Sequence, residues 1–118
     1  MTVAECIKQI AATEPSNKIA AKLSKTYGDD MPKVVVQMVT LFEKGGFVDD
    51  YRFLSLSEIV HAEADLHVPF KKLQIIPLVD GGDNDFIAYN FAEDVWMRYN
   101  VVEEIGFGKK KKLNEILK

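Results

Sequence analysis

Between Gln74 and Asn100 the chain reads QIIPLVDGGDNDFIAYNFAEDVWMRYN: an apolar run, an acid-and-glycine break, a second apolar run and a third that carries Trp96. Short runs rich in β-branched and aromatic residues, separated by turn formers, predict a three-stranded antiparallel meander. Ile75, Ile76, Leu78 and Val79, then Phe86, Ile87, Ala88 and Tyr89, are apolar at successive positions. Side chains alternate across a strand, so such runs need cover on both faces, and helices must supply it. Pro77 has no N–H for the ladder, which predicts a bulge or an amide position facing an edge. Val95, Met97 and Tyr99 alternate with Trp96, Arg98 and Asn100, the pattern of a half-exposed third strand.

The helices announce themselves by their caps. Thr2 and Glu5 have capping-box spacing, and Val3, Ile7, Ile10 and Ala11 follow at helical intervals, predicting a helix over 3–13. Pro15 ends or kinks it, and Ile19, Ala20, Leu23 and Tyr27 carry a second stripe to Gly28, placed as a terminator. Asp29 or Asp30 is positioned to cap a third helix, with Pro32 in its first turn, an apolar face of Val34, Val35, Met38, Leu41 and Phe42, and a Gly45-Gly46 stop. Tyr51–Leu54 suits a short strand. Ser55 and Glu58 form a second capping box for a helix with Leu56, Ile59, Val60, Ala64 and Leu66 inside, ending before Pro69. Leu113, Ile116 and Leu117 predict a short amphipathic helix at the end. The fold class expected is α+β, a single antiparallel sheet of about four strands flanked by helices, with residues 1–118 forming one domain.

A chain of 118 residues with 47% hydrophobic side chains can bury a core without staples. The single cysteine, Cys6, has no partner for an intramolecular disulfide and reads as a small core residue. No stretch approaches the roughly 20 apolar residues of a membrane span, and Glu5 and Lys8 interrupt the place a signal peptide would occupy. A cytoplasmic protein with no membrane partner is expected.

The net charge of -3 conceals a segregation. Residues 47–108 hold twelve acids against two Arg and two Lys, whereas residues 109–118 hold five Lys against one Glu. Phosphate contacts need basic side chains on the docking face, so nucleic acid is not expected as the main ligand. A basic protein suits the acidic body better.

Residue type and spacing narrow the candidate sites. Asp80, Asp83 and Asp85 invite a calcium loop, yet the register fails: counting from Asp80 puts Gly82 at a ligand position, and counting from Asp83 puts Ala88 where the loop glycine belongs. His61, Asp65 and His67 lack a firm third ligand, which favours boundary histidines over a metal site. Glu58 is accounted for as a cap, and no nucleophile motif accompanies it or Glu63, so no catalytic residue, metal or cofactor is expected. Trp96, with Tyr89, Phe91 and Tyr99, reads either as core and cross-strand pairs or, with an exposed tip beside Glu93 and Asp94, as an interface anchor. Lys109–Lys112 reads as a solvated run able to offset the acidic body.

The order of elements resembles the SUKH superfamily, small domains that include bacterial toxin-immunity proteins and yeast cell-wall synthesis regulators. The resemblance covers roughly residues 27–118, leaving 1–26 as an N-terminal helical region outside it. It rests on the helix beginning at Met31-Pro32, Gly45-Gly46, Leu54-Ser55-Leu56-Ser57-Glu58-Ile59, Ile76-Pro77-Leu78 ahead of the acid-glycine turn, and Trp96. It implies a binding module without enzymatic activity, which in immunity proteins neutralises a cognate toxin by direct binding. Partner surfaces differ among members, so the resemblance assigns no residue. The charge pattern directs attention to Asp49, Asp50, Asp83, Asp85, Glu93 and Asp94 as steering groups toward a basic toxin domain, with Trp96 or Tyr51 as anchor. A regulatory scaffold that binds several host proteins is the alternative expectation.

Overall fold

The computed structural model describes residues 1–118, and its centre is one antiparallel sheet whose strands lie in chain order from β1 to β6. Three helices come first: α1 (Val3–Ala12), α2 (Asn17–Tyr27) and α3 (Lys33–Leu41). Strands β1 (Gly46–Val48) and β2 (Tyr51–Phe53) follow, then α4 (Leu56–Val60), α5 (Ala62–Leu66) and α6 (Phe70–Leu73). The meander is β3 (Ile75–Asp80), β4 (Asp85–Asn90), β5 (Val95–Asn100) and β6 (Ile105–Lys110), and α7 (Leu113–Ile116) ends the chain. The fold is α+β as expected, but the sheet has six strands rather than about four. Both additions are edge strands with little to bury. β1 has three residues with Phe47 on the surface, and every residue of β6 is exposed, so neither shows an apolar period.

Local signals set the first helices. Both halves of the Thr2–Glu5 capping box are formed, and Gly28 adopts the left-handed conformation (φ 78°) that closes α2. The third helix departs from expectation at its start. Pro32 occupies the N-cap, while Asp30 accepts from the Ser24 hydroxyl instead of capping α3. The predicted one-sided stripe is also too narrow, because Val35, Val36, Gln37, Met38 and Val39 are all buried, and α3 packs against both α1 and α2. Gln37 shows how a polar residue is accommodated there. Its Nε2 donates to the carbonyls of Ala11 and Thr13 at 3.0 and 3.1 Å, satisfying acceptors left over at the end of α1.

The second capping box, Ser55–Glu58, is complete, but the helix it starts breaks at His61 into α4 and α5, and Ala64 is exposed rather than buried. Glu58 does double service: Oε1 accepts from the Ser55 N–H at 2.9 Å and Oε2 pairs with Arg52 on β2 at 2.8 Å. Burial works to raise the Glu58 carboxyl, yet those donors outweigh it and hold the group below the ordinary carboxylate value.

Helices pack against both faces of the sheet. On one side Phe70 meets Tyr99 edge-on, and Arg52 reaches the start of α4. On the other, Phe42 at the end of α3 stacks on Phe53 with ring centroids 4.0 Å apart, and α7 lies on β5 and β6. Two-sided cover explains why β3 and β4 are buried nearly throughout. The β3–β4 register shifts between Pro77 and Val79, a bulge that is one of the two arrangements open to Pro77. β5 is less exposed than its alternation predicted. Trp96 is 3% exposed because Tyr89 opposes it across the ladder, with the rings T-shaped. Cys6 is fully buried, and burial raises its thiol pKa. No helix is long and apolar enough to cross a membrane.

Candidate acidic rim at one end of the sheet

Antiparallel strands in chain order alternate their turns between the two ends of the sheet. The β1–β2, β3–β4 and β5–β6 turns therefore share one end, and the β4–β5 turn lies at the other. This decides which of the sequence candidates can act together. Asp49 and Asp50 stand on the first turn and Asp83 on the second, with Asp85 opening β4 beside it. The third turn adds Glu103 and Glu104, which the sequence reading did not single out. At about 4.8 Å per strand, the three turns form a rim about 20 Å long.

Glu93 and Asp94 do not belong to it. They sit on the β4–β5 turn, separated from the rim by the length of β4, about 20 Å at 3.3 Å per residue. Both are also engaged locally. Glu93 pairs with Lys109 at 2.8 Å, and the Tyr89 hydroxyl donates to Asp94 in a short hydrogen bond. Burial first, and the Asp94 carboxylate second, raise the Tyr89 phenol pKa. The Lys109 pair is the offset of acidic charge expected of the lysine run. Trp96, buried against Tyr89, has no exposed tip and is a core residue rather than an anchor.

The rim carboxylates are placed by turn geometry. Asp49, Asp83 and Glu104 each have a left-handed backbone, with φ 52°, 53° and 56°. Asp and Asn tolerate this conformation best, which is why acid-rich sequence collects at such hairpin turns. In the middle turn Asp80 Oδ1 accepts from the Gly82 N–H at 2.9 Å, and Asp80 Oδ2 faces Arg52 at 3.4 Å. Asp80 is thereby committed to the fold. Asp85 accepts from Asn100 Nδ2 at 2.8 Å, which ties the second turn to the third.

None of Asp49, Asp50, Asp83, Asp85, Glu103 and Glu104 takes part in an ion pair within the chain. Asp49, Asp50 and Tyr51 line an open depression together with Gly81, Arg98 and Lys118. The Tyr51 hydroxyl donates to the Lys118 main-chain oxygen at 3.0 Å, which steadies the ring at the mouth of that depression. Elsewhere, His61 holds Nδ1 against the Ser57 carbonyl oxygen at 2.8 Å, and no three His, Cys, Asp or Glu side chains are grouped as metal ligands.

A signal for the missed third turn is present in the chain. Asn90-Phe91-Ala92-Glu93-Asp94 and Asn100-Val101-Val102-Glu103-Glu104 share one pattern, and both fold alike. Asn90 Oδ1 accepts from the N–H groups of Ala92 and Glu93, and Asn100 Oδ1 from those of Val102 and Glu103. Each turn ends in a left-handed acid, Asp94 or Glu104, at φ 56°. Comparison with protein-family models, curated proteins and solved structures finds no match for this chain.

Proposed function

We propose that this chain is a non-enzymatic protein-binding module of SUKH type that acts as an immunity protein, using its acidic rim to dock and neutralise a basic toxin domain. The observation that carries the reading is the set of six carboxylates on three neighbouring turns, without an internal cation partner. Like charges on adjacent turns repel one another, and no direct ion pair within the chain offsets them, although Arg98 and Lys118 line the depression beside Asp49 and Asp50, so a partner's Lys and Arg side chains would relieve the rest on binding. Such a field steers encounter and discriminates among partners more than it adds affinity. Tyr51, half-buried beside the depression, supplies an aromatic contact of the kind that anchors interfaces. A partner seated on the rim would be blocked both by the bulk of the domain and by its charge.

The resemblance supports the SUKH and immunity parts of this reading: one antiparallel sheet with helices, the Ile76-Pro77-Leu78 lead into an acid-glycine turn, and the Ser55–Glu58 helix start. The test is a pull-down from native lysate with the wild-type chain and with a variant carrying Asp49, Asp50, Asp83 and Asp85→Lys. The expected result is capture of a basic protein by the wild type alone, and loss of that protein's toxicity when the chain is added. Equal capture by the variant overturns the rim as the binding surface. Capture of several proteins with none inhibited overturns neutralisation in favour of a regulatory scaffold.

A further inference from the structure

Strand β6 is the long edge of the sheet. Its far side meets no other element, all six residues are exposed, and Ile105 and Phe107 are 51% and 43% exposed. Val102, in the turn that leads into it, is 70% exposed. An edge of this length with apolar side chains is a template for another strand. Its charges are ordered along its length. Glu103 and Glu104 stand at the start, Lys110, Lys111 and Lys112 at the end, and none of the five forms an ion pair within the chain.

That polarity is self-complementary. Antiparallel pairing of two copies about a twofold axis near Phe107 sets the glutamates of each across from the lysines of the other, and brings both Phe107 side chains to the centre. Parallel pairing would instead align like charges. We infer that β6 pairs antiparallel with β6 of a second copy of this chain, joining two six-stranded sheets into one. A twofold contact of this kind closes on itself and leaves no further edge of the same type.

The pairing is weak and reversible. Gly108, with φ 66°, lies in a bulge where the three-residue step of β6 from Phe107 to Lys110 opposes the two-residue step from Arg98 to Trp96. A bulge interrupts the outer ladder and limits the number of shared main-chain hydrogen bonds. Charge and the Phe107 contact then decide whether the copies associate, so added salt weakens the dimer. The inference shares Glu103 and Glu104 with the acidic rim, whereas Asp49, Asp50, Asp83 and Asp85 stay outside the paired edge, so capture by the four-aspartate variant and sedimentation of the edge variants can fail separately.

Sedimentation equilibrium of the full chain tests it. The wild type should pass from 13.3 kDa to twice that mass with rising concentration, less readily at high salt. Reversing Lys110, Lys111 and Lys112→Glu should weaken self-association at least tenfold, and so should Glu103 and Glu104→Lys. Mixing the two variants should restore a dimer, since one then carries acids at both ends of the edge and the other bases at both ends. Circular dichroism checks that both variants fold, and Phe107→Ser serves as an uncharged variant with the same expected loss. A mass of 13.3 kDa at all concentrations up to about 1 mM, where association is worth only about 4 kcal/mol, overturns the inference and leaves the edge to a different protein. A dimer unmoved by the charge reversals, or not restored by mixing them, overturns it as well.

Discussion

Asn100 holds Asp85: its Nδ2 donates to the Asp85 carboxylate at 2.8 Å while its Oδ1 accepts from the N–H groups of Val102 and Glu103. One side chain therefore shapes the third turn of the acidic rim and tethers the second. The same turn is built around Asn90 at the opposite end of the sheet, where it braces Glu93 and Asp94, acids that have partners of their own.

This gives a matched pair of variants. Asn100→Ala and Asn90→Ala each remove the two hydrogen bonds that shape a turn, and each should cost about 1–2 kcal/mol in urea denaturation. Only Asn100→Ala should also weaken partner docking, because only it frees Asp85. Equal docking by both variants would separate turn geometry from the rim.

Gln37→Leu tests the buried polar contact between α1 and α3. The substitution leaves the carbonyls of Ala11 and Thr13 without their donor and should cost about 1–3 kcal/mol, read as a lower urea midpoint with an unchanged slope. Partner docking should not change, since Gln37 lies away from the rim.

Trp96→Ala separates core from interface. A side chain 3% exposed and packed on Tyr89 should cost about 3–5 kcal/mol of stability when truncated. An anchor would show the reverse, little change in stability and a large loss of binding.

Acid should weaken the fold partly through Glu58. Its carboxyl is held below the ordinary glutamate value of 4.5 in the folded chain, so the stability it contributes is present above that pH and is lost as pH falls through the depressed value. The acid limb of a melting-temperature profile should therefore steepen below about pH 4.5, and Glu58→Gln should flatten it while lowering stability at pH 7. Because the Glu58 side chain is 42% exposed, the effect is modest. An acid limb identical in both proteins would show that the Arg52–Glu58 pair contributes nothing.

Local chemistry made much of the fold legible. Thr2 with Glu5, Ser55 with Glu58, and Gly28 act within a few residues, and the structure realises each of them. Gly46-Phe47-Val48 and Ile105-Gly106-Phe107-Gly108 carried no such mark. They become strands because β2 and β5 offer them hydrogen bonds, a tertiary influence on segments of poor strand propensity. Gly106 lies against the Met97 methyl, which a side chain at that position would displace. The site was half legible for a different reason. Exposure of Asp49, Asp50 and Asp83 followed from their turn-forming neighbours, and Asp85 is half-buried at the start of β4, whereas grouping them with Glu93 and Asp94 ignored what a meander requires. Successive turns of a meander point to opposite ends, so Asp83 and Glu93 could not share a rim. Trp96 misled because alternation along β5 reports which residues face one side of the sheet, not that the other side lacks cover.

The most direct test of the acidic rim is the association rate of the captured partner, measured by stopped flow across a salt series for the wild type and for Asp83→Lys with Asp85→Lys. If the rim steers docking, the double variant associates at least tenfold more slowly at low salt and its rate depends less on ionic strength. The same rate and the same salt slope in both proteins would contradict the account.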